Sequence, residues 1–476
     1  MFDIAVIGGG VIGGTILREL TKYQLNVCVL ESCDDVSMGQ SKANSGIVHA
    51  GYDAKPNSLK AKFNVLGNKM MSAYASELGV KYKNNGSLVL AFSEEDLTVL
   101  EELKTRGETN GVERLSIIDR AELNRLEPNV SDNAVGALYA PTGGIICPYE
   151  LTIASIGNAM DNGAKLYCNF EVASAKKLEN GYEIISTDGN KVSAKIVINC
   201  AGINSGKVAS IFGDDTLNIK GRKGEYILLD RESGDFVSHT LFCTPSKAGK
   251  GILVTQTVDG NILLGPTATE VENPAPVTTA QGLAFVVDKV KSMCKNPPLF
   301  NSITSFAGVR AYSDKGDFII EKSAIAENLI NVAGIESPGL TSAPAIAKFV
   351  AEEIVAKMTS LVKNEKFNGK RTPDYFFKNL SIEEKNELIK KDSTYGKIIC
   401  RCEGITEGEI IRAVRENPKA MTIDAVKRRT RAGMGRCQGG FCQPHVAEII
   451  AREHNIAYEK VQKGGKNSTL LVGKVK

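Results

Sequence analysis

"FDIAVIGGGVIGG" (residues 2–14) opens with a short apolar, β-branched run that breaks into glycines. It continues into "TILRELTKYQL", whose apolar spacing is helical, and then into a second apolar run, "NVCVLE", that ends in an acid. Strand, glycine turn, helix and second strand make a βαβ unit. Gly8, Gly10 and Gly13 supply the G-x-G-x-x-G spacing, and Glu31 stands eighteen residues after Gly13. Glycines at such a turn let the backbone approach a pyrophosphate seated on the positive end of a helix, while the acid accepts hydrogen bonds from a ribose. This order of elements predicts an α/β, Rossmann-like fold that binds a dinucleotide.

Working outward, the 476 residues leave room for two or three domains, at a prior of about 150 residues each. A hydrophobic content of 42% and a charged content of 24% suit a globular protein in water, and a net charge of +3 gives no reason to expect nucleic acid. No run approaches the ~20 apolar residues of a direct membrane span, and the opening residues do not read as a secretory signal. The expected location is the cytoplasm, or the periphery of the inner membrane where a partner brings the protein there. Of eleven cysteines, seven (Cys28, Cys33, Cys147, Cys168, Cys200, Cys243 and Cys294) are scattered singly and read as small buried hydrophobes. The other four gather near the C-terminus.

After Glu31 comes "MGQSKANSGIVHAGYDAKPNSLKAKF" (residues 38–63), a loop rich in Ser, Asn and Gly. Three later segments go with it: "AKIVINCAGINSGKVA" (194–209), "SFAGVRAYSDKGDFII" (305–320) and "NLINVAGIESPGLTSAPAIAKFVAEEI" (328–354). Together these resemble the D-amino-acid-oxidase-type flavoprotein superfamily, and the resemblance implies that the dinucleotide is FAD. It places the cofactor against Gly8, Gly10, Gly13, Glu31, Ser41, Asn44, Ser45, Gly46, Val172, Ala201, Gly202, Gly308, Gly334, Gly339, Leu340 and Thr341. The last segment is also readable directly: "INVAG" is a strand, Pro338 and Gly339 turn the chain, and a helix begins near Thr341 with Pro344 in its first turn. Such a helix start would steady negative charge on the flavin.

Oxidising an alcohol calls for a base and a cationic anchor. Arg310 matches the superfamily's substrate arginine and can grip a carboxylate or phosphate with two parallel hydrogen bonds. A surface ion pair with Asp314 or Asp317 is its bland alternative. Of four histidines, His49 lies in the flavin loop and is the first candidate base, with His239 in reserve. Tyr226, in the strand "GRKGEYILLD" (221–230) with Arg222 and Lys223 before it, is expected to line the pocket, and "GILVTQTVDGNILLGPTATE" (251–270) reads as a hairpin turning at Asp259-Gly260. Two subfamilies compete for the substrate. "NSGIVHAGYDAKPNSLKAKF" and "EPNVSDNAVGALYAPTGGI" resemble L-2-hydroxyglutarate dehydrogenases, whereas a cysteine-rich appendage resembles the catalytic subunit of anaerobic glycerol-3-phosphate dehydrogenases. The Gly-Lys-Leu-Thr of the latter reads Pro338-Gly339-Leu340-Thr341 here, without the lysine.

Beyond a lysine-rich connector, in which "SIEEKNELIKK" (381–391) reads as a short helix begun by a capping box of Ser381 with Glu384, Cys400-x-Cys402 and Cys437-x4-Cys442 form a four-thiolate set, suited to zinc or an iron-sulfur cluster. Thr406 and Glu409 form a capping box for "GEIIRAVREN", and "TIDAVKRRTRA" reads as a second helix ending near Gly433 and Gly435. The spacing resembles the bacterioferritin-associated-ferredoxin-like module, which implies a 2Fe-2S cluster on Cys400, Cys402, Cys437 and Cys442.

The expected architecture is an FAD-binding and substrate unit over 1–360, a linker over 361–396, a small helical cysteine-rich 2Fe-2S domain over 397–450 and a tail over 451–476. Within the first unit, the Rossmann-like part (mainly 1–75, 150–210 and 305–360) interleaves with an antiparallel-sheet substrate part (mainly 76–149 and 211–304). The expected activity is an FAD-dependent dehydrogenase for a small anionic secondary alcohol, sn-glycerol 3-phosphate first and L-2-hydroxyglutarate second. Electrons would leave through the cluster to an acceptor protein or a second flavoprotein subunit. The non-enzymatic alternative is a redox-responsive or scaffold subunit.

Overall fold

The computed structural model describes residues 1–245, 251–271, 275–371 and 377–473. Residues 246–250 and 272–274 of the expected substrate part, 372–376 of the linker and 474–476 of the tail lie outside the described residues.

The opening run forms strand Phe2–Ile7, which pairs in parallel with Val27–Leu30 on one side and Lys191–Asn199 on the other. Helix Val11–Leu20 connects the first two strands. Ile4, Val6, Val29 and Ile198 are fully buried because helices cover the sheet, and this explains why these strands read as unbroken apolar runs. Leu329–Ala333 adds in parallel beside Lys191–Asn199, so the sheet takes a strand more than three hundred residues away from its first.

The second sheet has nine strands among the described residues. Its spine is the pair Ile219–Leu229 and Ser302–Ser313, antiparallel from Ile219 opposite Ser313 to Leu229 opposite Ser302. The expected hairpin is present as Leu253–Gln256 and Ile262–Gly265, with Gly260 at φ +86° in the turn. One pairing departs from the expected antiparallel pattern, since Thr240–Cys243 runs parallel to Ser87–Ala91.

The C-terminal module has a core of its own, drawn from residues 399–461 and including Ile405, Ile410, Val426 and Ile450. Both expected capping boxes form, Ser381 with Glu384 and Thr406 with Glu409. Three details correct the sequence reading. Helix Ile423–Thr430 stops at Arg431, which takes the left-handed conformation (φ +69°) because its guanidinium is anchored on Glu403 and Asp259, so the later glycines are not the cap. A third helix, Gln443–His454, follows Cys442 directly. Helix Gly339–Phe349 starts before Thr341, which puts Pro344 past its first turn. No helix of the described residues is long and apolar enough to cross a membrane.

Candidate functional site

At the end of strand Phe2–Ile7 the chain turns through Gly8, at φ +109°, where a Cβ would overlap the Cys200 carbonyl oxygen. A Cβ on Gly13 would overlap the Gly8 carbonyl, so this glycine lets the helix start under the turn. Glu31 Oε2 accepts the Gly9 N–H at 2.7 Å and its Oε1 accepts the Cys33 N–H at 2.8 Å, which fixes the acid beside the glycine turn. Ser41 Oγ accepts the Val11 N–H at 2.9 Å.

These groups border an elongated cavity of about 560 Å³ that runs from Glu31 past Gly8 and Gly10 to Ala201, Gly202 and the start of helix Gly339–Phe349. Ser41, Asn44, Ser45, Val172 and Leu340 also line it. A Cβ on Gly202 would meet nothing within 4 Å, so the backbone there borders open space. A glycine turn with an acid at one end, and a helix N-terminus at the other, is a donor and acceptor set that fits a dinucleotide.

Five of the expected cofactor residues stand behind this lining. Gly13 acts as above. A Cβ on Gly46 would come within 2.6 Å of the Ile146 carbonyl oxygen, and one on Gly308 would overlap the Ala43 carbonyl. Gly334 turns at φ +64° against Ser313, and buried Thr341 accepts the His49 N–H on its Oγ1 at 2.9 Å. Sequence reasoning missed Gln40, whose Oε1 accepts the Ala311 N–H at 2.8 Å while its amide donates to the Ile335 carbonyl at 3.2 Å. It also missed Ser32, Lys207, Phe242 and Ser337 on the wall. Gln40 sits in the loop already singled out, but its partners are some 270 to 295 residues away and leave no local signal.

A second cavity of about 890 Å³ adjoins the first, and His49, Phe242, Arg310 and Ser337 line both. The His49 carbonyl accepts from Asn64 at 2.7 Å and Asn68 at 3.1 Å, and its Nε2 stands 3.1 Å from Ser337 Oγ. Arg310 and Arg222 are directly opposite each other on the paired strands, and both border this outer cavity. Arg310 donates to the Thr267 carbonyl at 2.8 Å, while Asp314 accepts from Asn218 and Asp317 from the Leu59 and Lys60 N–H groups. Arg222 lies over the Tyr312 ring at 4.5 Å. Strand alternation turns Lys223 the other way, where it pairs with Glu225 at 2.9 Å in a buried setting. Tyr226 stacks on Phe306 with its hydroxyl 3.3 Å from Ser45 Oγ, and burial raises its phenol despite the Arg310 charge.

His239 is not part of the site. Its Nδ1 is held at 2.7 Å by Glu127, which also accepts the Ser238 and His239 N–H groups, and the ring packs edge-on to Tyr139, away from both cavities.

In the C-terminal module the thiols stand as two pairs. Cys402 and Cys437 are 3.6 Å apart at sulfur. Cys400 and Cys442 are each 2% exposed and share a hydrogen bond that lowers the Cys400 thiol and raises Cys442. Backbone N–H groups of Gly433 and Glu403 favour the Cys400 thiolate, and those of Gly439 and Phe441 the Cys437 thiolate. Among the described residues no three metal-ligating side chains converge on a single point. Four sulfurs in two pairs, ringed by amide donors, fit a binuclear iron-sulfur cluster better than one tetrahedral zinc.

Comparison with known proteins bears on both regions. Residues 3–353 match the FAD dependent oxidoreductase family, and residues 398–452 match the BFD-like [2Fe-2S] binding domain. A glycerol 3-phosphate dehydrogenase of Caloramator mitchellensis is 48% identical over 477 residues, covering 100% of this chain and 99% of its own. A glycerol 3-phosphate oxidase of Mycoplasma genitalium is 32% identical over 77% of this chain and 98% of its own. The structure of dithionite-reduced L-alpha-glycerophosphate oxidase from Mycoplasma pneumoniae with FAD bound is 29% identical. It superimposes with a TM-score of 0.74, over 78% of this chain and 98% of that one.

Proposed function

The chain belongs to the FAD dependent oxidoreductase family, and from that premise we propose that it is a dehydrogenase oxidising sn-glycerol 3-phosphate to dihydroxyacetone phosphate. FAD and a 2Fe-2S cluster are its cofactors. The observation that carries the substrate choice is the full-length similarity to a glycerol 3-phosphate dehydrogenase, which extends through the cysteine module. An oxidoreductase with two redox groups leaves no place for the scaffold reading.

Bound FAD would supply the two-electron acceptor for the carbinol C–H, and the cluster a one-electron carrier toward a partner protein. The alcohol loses two electrons and two protons as it becomes the ketone. Arg310, with Arg222 opposite, grips the phosphate from the outer cavity. This pair stands in for the lysine absent at position 339, where even a Cβ would come within 2.6 Å of Ile335. His49, at the junction of the two cavities, takes the hydroxyl proton, and the substrate hydroxyl reaches its ring by replacing the Ser337 contact. Tyr226 and Phe242 give the pocket apolar walls that keep water from the reacting carbon. The four thiolates Cys400, Cys402, Cys437 and Cys442 hold the cluster.

The test is substrate depletion by the anaerobically purified full chain with an artificial acceptor, offered sn-glycerol 3-phosphate or L-2-hydroxyglutarate, with iron and acid-labile sulfide measured on the same sample. Turnover of the phosphate ester is expected. Turnover of the hydroxy acid alone would transfer the assignment to it, and zinc in place of iron would remove the electron exit.

A further inference from the structure

We propose that Asp35 is a positioning residue through which the C-terminal cysteine module holds the dinucleotide loop in its binding shape, so that FAD retention depends on that module. The inference rests on the FAD reading above and adds a dependence that the family match does not contain, since that match ends at residue 353.

The loop in question follows Glu31. Asp35 is 4% exposed and is gripped by two arginines from helix Ile423–Thr430. Arg429 binds both carboxylate oxygens, Nη1 to Oδ2 at 2.9 Å and Nη2 to Oδ1 at 2.8 Å, while Arg428 Nη2 reaches Oδ2 at 2.6 Å. Two buried cations on one carboxylate are a costly arrangement whose main return is fixed geometry. Arg428 Nε, buried, finds no partner among the described residues, a further sign that position has been favoured over full satisfaction.

That geometry is passed to the cofactor site in two short steps. Val36, next in the chain, is fully buried against Ile153 and Ile156. Ser37 then donates its N–H to the Gly9 carbonyl at 2.9 Å, and Gly9 donates its own N–H to Glu31 Oε2 at 2.7 Å. Ser37 also sits at φ +65°, a left-handed conformation that a serine keeps only when its surroundings impose it. Asp34 adds a second tie, accepting the Gly465 N–H at 2.9 Å. Two residues beyond Arg429, at the C-cap of the same helix, Arg431 bonds Glu403, the neighbour of Cys402, at 2.9 Å. The C-terminal end of one short helix therefore ties the Cys402 loop to the loop that follows Glu31.

The experiment uses full-length, FAD-loaded enzyme and follows flavin release by the rise in free-flavin fluorescence, with circular dichroism confirming the fold. Asp35→Asn and Arg429→Gln are expected to release FAD about tenfold faster or more, with Arg429→Lys intermediate and the KM for substrate unchanged. Arg428→Gln leaves the two-pronged Arg429 contact intact and is expected to speed release a few-fold, about threefold, so it tests the idea even where Asp35→Asn fails to fold. Release at the wild-type rate from folded Arg429→Gln and Arg428→Gln enzymes would overturn the proposal. Wild-type protein that never retains flavin would instead overturn the cofactor reading beneath it.

Discussion

His49 is fixed through its backbone by Thr341, Asn64 and Asn68, which leaves the imidazole as the part of the residue that meets the cavity. His49→Asn keeps those backbone contacts and is expected to lower kcat about 10²- to 10⁴-fold with little change in KM, measured by steady-state kinetics with an artificial acceptor. Arg310→Ala should act differently, raising KM and cutting kcat/KM on the order of 10²-fold, with Arg310→Lys recovering only part because an ammonium lacks the two-pronged fork. That both positions line the cavities was legible because each lies in a segment whose neighbours carry the pattern. His239 misled because nothing near it in the chain announces Glu127, 112 residues away, which claims its ring. Gln40 and Asp35 were invisible for the same reason: their partners are assembled only by the fold.

Among the elements, the helices Leu59–Leu78 and Gly339–Phe349 meet at Gly67, where a Cβ would overlap the Thr341 carbonyl oxygen and lie 2.9 Å from the Ser342 Cα. Alanine is the better helix former, yet Gly67→Ala is expected to destabilise the protein by about 1–3 kcal/mol in denaturant unfolding, because the clash is with backbone and neither helix can yield alone. Two helix starts were legible, since Ser381 with Glu384 and Thr406 with Glu409 satisfy each other within four residues, whereas the start at Gly339 carries no such pair. Helix ends were less so. Arg431 closes its helix in a conformation that usually asks for glycine, and its anchors, Asp259 and Glu403, come from two distant segments. The hairpin at Asp259-Gly260 was readable from its turn, although not the use of Asp259 as a dock for the cysteine module.

At the scale of the whole molecule, the contact between the dinucleotide unit and the cysteine module includes the buried ion pairs of Asp35 with Arg428 and Arg429 and is therefore sensitive to pH. Burial alone would raise the Asp35 carboxyl, but Arg429 and Arg428 outweigh it and hold it at about 2. A lowered carboxyl contributes stability that is complete above its unfolded value, near 4, and fades as pH falls toward 2; the shift corresponds to roughly 2 kcal/mol. Acid titration between pH 5 and 2 should loosen the module in the wild type, read as protease cleavage in the linker, while Asp35→Asn should be loose already at pH 7 and show a flatter profile. The strand order carries one more consequence, for biosynthesis. The central sheet needs Leu329–Ala333 beside Lys191–Asn199, so the site that begins at residue 8 stays incomplete until about two thirds of the chain has been made. The cysteine module draws its core from residues 399–461 alone and can fold as it leaves the ribosome. The nascent protein thus carries an unfinished flavin site until Leu329–Ala333 has been made, and a helix made later still, Ile423–Thr430, is the one that clasps the loop after Glu31 shut.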